Sequence, residues 1–112
     1  MYMAEILVRI VVQFGAIIRY VASNHDITSS QAITLLSIPF DGTPVSSLSQ
    51  QLGLDISTLS RNLDKLILKD LVLKKKHTKD SRIVLIFLSK NGQSIIKQIE
   101  GDLQDESLNF LN

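Results

Sequence analysis

The stretch from Asp55 to Ser89 (DISTLSRNLDKLILKDLVLKKKHTKDSRIVLIFLS) gathers the residue types that could do chemistry. Ser57, Thr58, Ser60 and Arg61 are hydrogen-bonding side chains at the start of a predicted helix, with Asn62, Asp64 and Lys65 following. Ile56, Leu59, Leu63, Leu66 and Ile67 recur at helical spacing and predict the face turned to a core. A second, β-rich half carries Lys74, Lys75 and Lys76, then the tip His77-Thr78-Lys79-Asp80-Ser81, then Arg82 and an apolar run. Eight of the chain's twelve Lys and Arg lie between Arg61 and Arg82 against three acids, about +5, whereas the whole chain carries +1. A polar, basic helix face beside a basic hairpin is the footprint of a DNA reader.

A chain of 112 residues with 45% apolar content predicts one domain with a packed core. Cysteine is absent, which removes disulfides, thiol redox sensing and Cys-ligated metal and fits a reducing cytoplasm. His25 and His77 fall on separate predicted elements with no ligand-spaced partner, so no metal, cofactor or catalytic residue is expected. No nucleophile-base pair or phosphate loop is visible, and an enzyme finds no support. Ile6 to Ala22 is apolar enough to raise a membrane or signal segment. Arg9, Gln13 and Arg19 interrupt it, and a soluble helix with a wide apolar face is the expected reading.

Helix one is predicted from about Met3 to about Ser23. Its apolar residues (Ile6, Leu7, Val8, Ile10, Val11, Val12, Phe14, Ile17, Ile18 and Val21) cover most of its circumference, more than one small core covers. A second copy of the chain is the expected cover, with Ile6, Ile10, Phe14 and Ile17 at the interface. Ser23 to Asp26 reads as a turn in which His25 is solvated. Thr28 and Gln31 form a capping box for helix two, where Ile33, Leu36 and Leu35 face inward and Pro39 ends the run. Asp41 to Pro44 is turn chemistry, Ser46 or Ser47 caps helix three, and Gly53 closes it. Asp55 caps helix four, giving a helix-turn-helix in outline. Val72-Leu73 leads into the lysine run, which is ordinarily a solvated edge strand, and Ile83 to Leu88 is the clearest strand. Ser89 caps a last helix with Ile95, Ile96, Ile99 and Leu103 inward; Gly101 is a candidate break, and the acidic end reads as a solubilising tail.

This order resembles the MarR family of winged helix-turn-helix regulators over roughly Thr28 to Ile99. Leu48 to Asp55 is similar to the family's first helix and turn, and Ser57 to Leu66 to its recognition helix. Asp80-Ser81-Arg82 with Leu88-Ser89-Lys90-Asn91-Gly92 is similar to its wing. The resemblance implies an α+β, mainly α fold: a three-helix DNA-binding core (28–88, with its β-hairpin wing) between N-terminal (1–23) and C-terminal (89–112) dimerisation helices. It implies a cytoplasmic homodimeric transcriptional regulator, often tuned by a small-molecule effector. Asp70 stands where the family usually has Gly, at modest cost. The long final helix of many members is missing, which would leave the dimer to helix one and a shortened last helix, as in the staphylococcal accessory regulator group. With no thiol, the redox-sensing branch is excluded.

Groove chemistry then distributes roles. Ser57, Thr58, Ser60 and Arg61 are expected nearest the bases in the major groove, with Asn62 and Lys65 behind them. Ordinary capping and solvation is the plainer account of the serine-threonine set. Arg82 is expected in the minor groove, and Lys74, Lys75, Lys76 and Lys79 on phosphates. Asp80 would be repelled by DNA and is expected to fix the tip through hydrogen bonds to its backbone or to Arg82. A two-fold dimer implies a pseudo-palindromic double-stranded site with half-sites about 10 base pairs apart. The rival reading is a winged-helix protein-interaction module whose basic wing docks on an acidic partner.

Overall fold

Side chains next to the backbone set the helix starts. The computed structural model describes residues 2–111, with helices α1 (Tyr2–Asn24), α2 (Ser29–Leu36), α3 (Val45–Leu52), α4 (Ile56–Leu68) and α5 (Lys90–Leu111). Strands β1 (Thr43–Pro44), β2 (Val72–Lys76) and β3 (Val84–Leu88) complete it. Thr28 and Gln31 exchange bonds of 3.1 Å each, the expected capping box on α2. The Asp55 carboxylate accepts from the Thr58 amide at 2.7 Å, and the Ser89 hydroxyl accepts from the Gly92 amide at 2.9 Å. Each satisfies a donor that the first helical turn leaves free.

Three helix ends share another device. Asp26, Gly53 and Asp70 have φ of 58°, 65° and 60°. At each, the following amide (Ile27, Leu54, Leu71) reaches back to the carbonyl of Ala22, Ser49 or Leu66. This is the Schellman closure, in which a left-handed residue reverses the chain and an apolar one drops back toward the helix. Glycine is the usual occupant; aspartate stands at two of the three.

The core lies where the C-terminal end of α1 meets α2, α4, α5 and the sheet. Val21, Leu35, Leu48, Leu59, Leu66, Val72, Ile86 and Ile99 are fully buried there, each contributing about 1.5–3 kcal/mol by leaving water. The sheet order is β1-β3-β2, both pairings antiparallel.

Several expectations change. Thr43–Pro44 is a strand rather than a turn: Thr43 lies opposite Ile86 and Pro44 opposite Leu85. Proline has no amide hydrogen, and an edge position needs none on its outer side. Neither Ser46 nor Ser47 caps α3, whose N-cap is Pro44 without a side-chain bond. Ile33 is 41% exposed and Ile56 is 55% exposed, because the inward face of α2 runs through Gln31, Ala32, Thr34 and Leu35, and that of α4 starts only at Leu59. His25 is not a solvated loop residue; its ring is packed and bonded to Asp102. Helix α5 passes through Gly101 unbroken.

Residues 2–14 of α1 are all exposed, including Ile6, Ile10 and Phe14, while Ile17 packs against the core. By length and composition alone α1 would also qualify to cross a membrane.

Two glycines of α5 should respond oppositely to alanine. A Cβ on Gly92 would stand 2.1 Å from the Leu71 carbonyl oxygen, a backbone atom, whereas one on Gly101 meets nothing within 4 Å. In urea unfolding, Gly92→Ala is expected to lose about 1–3 kcal/mol or more. Gly101→Ala should gain about 0.5–1 kcal/mol from helix propensity.

Candidate nucleic-acid interface

At the start of α4 a single carboxylate organises the polar side chains. Asp55 Oδ1 accepts from the Thr58 amide and, at 2.8 Å, from the Ser57 hydroxyl. The Ser57 proton is therefore committed, and its oxygen faces outward as an acceptor. The Thr58 amide first, then the Ser57 and Thr58 hydroxyls and the Arg61 charge, hold the Asp55 carboxyl below its ordinary value of 3.8. Arg61 and Lys65 are exposed, and Thr58 and Ser60 are half-buried. Ser60 belongs to a groove of about 330 Å³ between α4 and the hairpin, lined also by Ile56, Lys74, Arg82 and Val84. Asn62 is directed elsewhere: its Nδ2 donates to the Ser30 hydroxyl of α2 at 2.8 Å. It ties α4 to α2 instead of projecting with Arg61.

Strand alternation divides the lysines of β2. Lys74 and Lys76 lie opposite Ile86 and Val84, whereas Lys75 lies opposite Leu85 on the other face. Lys75 Nζ sits 5.4 Å from the centroid of the Phe87 ring, within cation-π range. Of the basic hairpin residues, Lys74 and Arg82 thus border the groove beside α4, and Lys75 points away from Lys74. Lys79 is exposed at the tip, where its amide donates to His77 Nδ1 at 3.1 Å.

At the tip a second carboxylate repeats the pattern of the first. Asp80 Oδ1 accepts from the Arg82 amide at 3.0 Å and from Arg82 Nε at 3.1 Å, while Oδ2 accepts from Nη2 at 3.2 Å. The forked contact fixes the plane of the guanidinium. Arg82 nevertheless remains 89% exposed, against 34% for Asp80. The arginine side chain, then its amide, holds the Asp80 carboxyl below 3.8.

Ser30, Lys69 and Asp102 also enter side-chain contacts, and sequence reasoning passed over them. Their partners are Asn62, Asp26 and His25. No periodicity marks such pairs, since each joins elements far apart in sequence. Among the described residues, no group of three or more His, Cys, Asp or Glu could hold a metal ion.

The carboxylate at the tip gives a measurable sign. A depressed carboxyl stabilises the folded form above its unfolded value and loses that contribution as pH falls through the folded one. In an NMR titration Asp80 should therefore titrate below 3.8, and Arg82→Ala should move it back up toward that value. An unchanged midpoint in the variant would show that the arginine does not hold the carboxylate in solution.

Known proteins share this fold. A family model described as transcriptional regulator SarA/Rot matches residues 16–99. Wild-type apo MarR from E. coli is 29% identical, with 95% of this chain and 82% of that one covered and a TM-score of 0.81. A mutant E. coli MarR complexed with operator DNA is 30% identical, with 89% and 76% covered and a TM-score of 0.77. A mutant of S. aureus MepR shares the fold at 19% identity, with 96% and 80% covered and a TM-score of 0.76. A comparison with curated proteins returns no match. The family model spans most of the chain, from the last turns of α1 to the buried Ile99 of α5. The protein belongs to the SarA/Rot family of transcriptional regulators, with the MarR-like winged helix-turn-helix fold.

Proposed function

We propose that this regulator binds double-stranded DNA sequence-specifically as a homodimer, with α4 in the major groove and the hairpin as a wing in the minor groove. The observation that carries the reading is the groove in which Ser60 of α4 meets Lys74 and Arg82 of the hairpin, with Arg61 and Lys65 exposed on α4 and Arg82 bonded to Asp80. The operator DNA held by the similar MarR structure supports it. Ser57 enters as an acceptor, suited to a base amino group, and Arg61 as the bidentate donor. Lys74, Lys76 and Lys79 serve phosphates, and Asn62 acts by holding α4 on α2.

The dimer rests on α1. Its first thirteen described residues leave Ile6, Leu7, Val8, Ile10, Val11, Val12 and Phe14 exposed on one helix, and exposed apolar surface gathered in this way marks an interface. Arg9 and Arg19 within that helix favour a second copy over lipid as its cover. The proposed place of action is the cytoplasm, where the DNA is.

Selection of bound sequences from a random duplex library by the purified protein tests the whole reading. A single pseudo-palindrome with half-sites about 10 base pairs apart is expected; recovery of unrelated sequences would overturn it. At that site Arg61→Ala should cost about 1–3 kcal/mol and relax one base preference. Lys79→Ala should weaken binding on all sequences alike and lower the salt slope by about one. Sedimentation supplies the dimer test: replacing Ile10 and Phe14 with serine should yield monomers that have lost tight DNA binding. A wild-type monomer at micromolar concentration would dismiss the two-fold model.

A further inference from the structure

The far end of α4 belongs to a ring of three elements joined by polar bonds and closed through the backbone of α5. His25, in the turn between α1 and α2, donates from Nε2 to Asp102 Oδ2 of α5 at 2.8 Å. The side chains are 11% and 44% exposed, so the contact is not a loose surface pair. The next residue, Asp26, is reached from the end of α4: Lys69 Nζ donates to its carbonyl and stands 3.9 Å from its carboxylate, which is itself fully exposed. Asp70, one residue on, accepts twice from the start of α5. Its carbonyl takes the Ser89 hydroxyl at 2.6 Å, and its carboxylate takes Asn91 Nδ2 at 2.8 Å. The bonds therefore run from the α1–α2 turn to α4, from α4 to α5, and from α5 back to the turn.

Apolar burial at this junction, by Val21, Ala22, Ile27, Leu66, Leu71 and Ile99, holds the helices together without fixing their angle, because it is non-directional. Hydrogen bonds lose strength steeply with misalignment. A ring of them closed through three elements resists tilting of any one.

We propose that this ring is the joint that sets the angle of α4 against α1 and α5, with His25, Lys69 and Asp102 as positioning residues for DNA binding. None of the three needs to touch DNA. The inference rests on the dimer reading above, since α1, against which α5 packs, would join the two copies and each α4 would then hang from its joint. The joint fixes the separation and tilt of the two reading helices. Its signature is the distance between half-sites that the dimer accepts, not the affinity of one lobe for one half-site.

The test uses the full chain with Asp102→Ala and Lys69→Met, alone and combined, both at positions more than a third exposed. Binding is measured on the selected site, on the same site with two base pairs inserted or removed at its centre, and on a duplex carrying one half-site. Each variant is expected to change single half-site affinity by less than about twofold, while its preference for the native spacing falls about tenfold. The double variant should lose less than the product of the two, because both act through one turn. Equal losses on every duplex would mean a general stability role and would overturn the joint, as would a spacing preference equal to the wild type's. A wild-type protein indifferent to spacing would instead reject the two-fold reading, and the joint with it.

Discussion

Three residues with left-handed backbone decide how the helices of this lobe can lie. A helix that ends in such a residue turns the chain sharply and sends the next side chain back onto its own last turn. At Asp26, Gly53 and Asp70 that next residue is Ile27, Leu54 or Leu71, and Ile27 and Leu71 are buried. The turns thus place α2 against α1, α4 against α3, and β2 beneath α4. For an L-residue the conformation costs roughly 1–2 kcal/mol, which is why glycine is usual. The two aspartates make contacts glycine cannot: the Asp70 carboxylate accepts from Asn91, and that of Asp26, fully exposed, stands 3.9 Å from Lys69.

The surface proposed to meet DNA follows a similar economy. Two acids, Asp55 and Asp80, belong to it, and each accepts both a backbone amide and side-chain donors from residues just after it. Electrostatics alone would remove them from a surface meant for phosphate. Their effect is conformational: Asp55 fixes the first turn of α4, and Asp80 fixes the guanidinium of Arg82. Ordering done in advance by the protein is ordering that binding need not supply. The same logic assigns Asn62 inward, where it spends its donor on Ser30.

What was legible in the sequence was local. Thr28 with Gln31, Asp55 with Thr58, Ser89 with Gly92, and Gly53 at its turn are contacts three residues apart or less, so their spacing is their signature. The wing was visible because β-branched runs flank a polar tip. The missed features close over long distances. His25 meets Asp102 across 77 residues and Asn62 meets Ser30 across 32, and no periodicity encodes such meetings. Ile33 and Ile56 misled for another reason: apolar residues at helical spacing near a helix end satisfy the pattern even where no neighbour covers that turn. Thr43–Pro44 looked like a turn because its residue types are turn-formers, and only pairing with β3 makes it a strand.

That two-residue strand governs more than its length suggests. By pairing with β3, β1 closes a loop of some forty residues that contains α3, α4 and the first strand of the hairpin, and closure of such a loop is entropically costly. The α3–α4 pair and the hairpin can each form from near neighbours, so the clasp at Thr43 and Pro44 closes after them in folding. With two residues in register, it is a short pairing to release. Thr43 supplies few pairing bonds, and Pro44 supplies a carbonyl but no amide. Brief release of β1 would free α3 from the sheet while β2 and β3 stay zipped, and amide exchange in α3 should therefore run ahead of exchange at Leu88, which pairs with Val72 of β2.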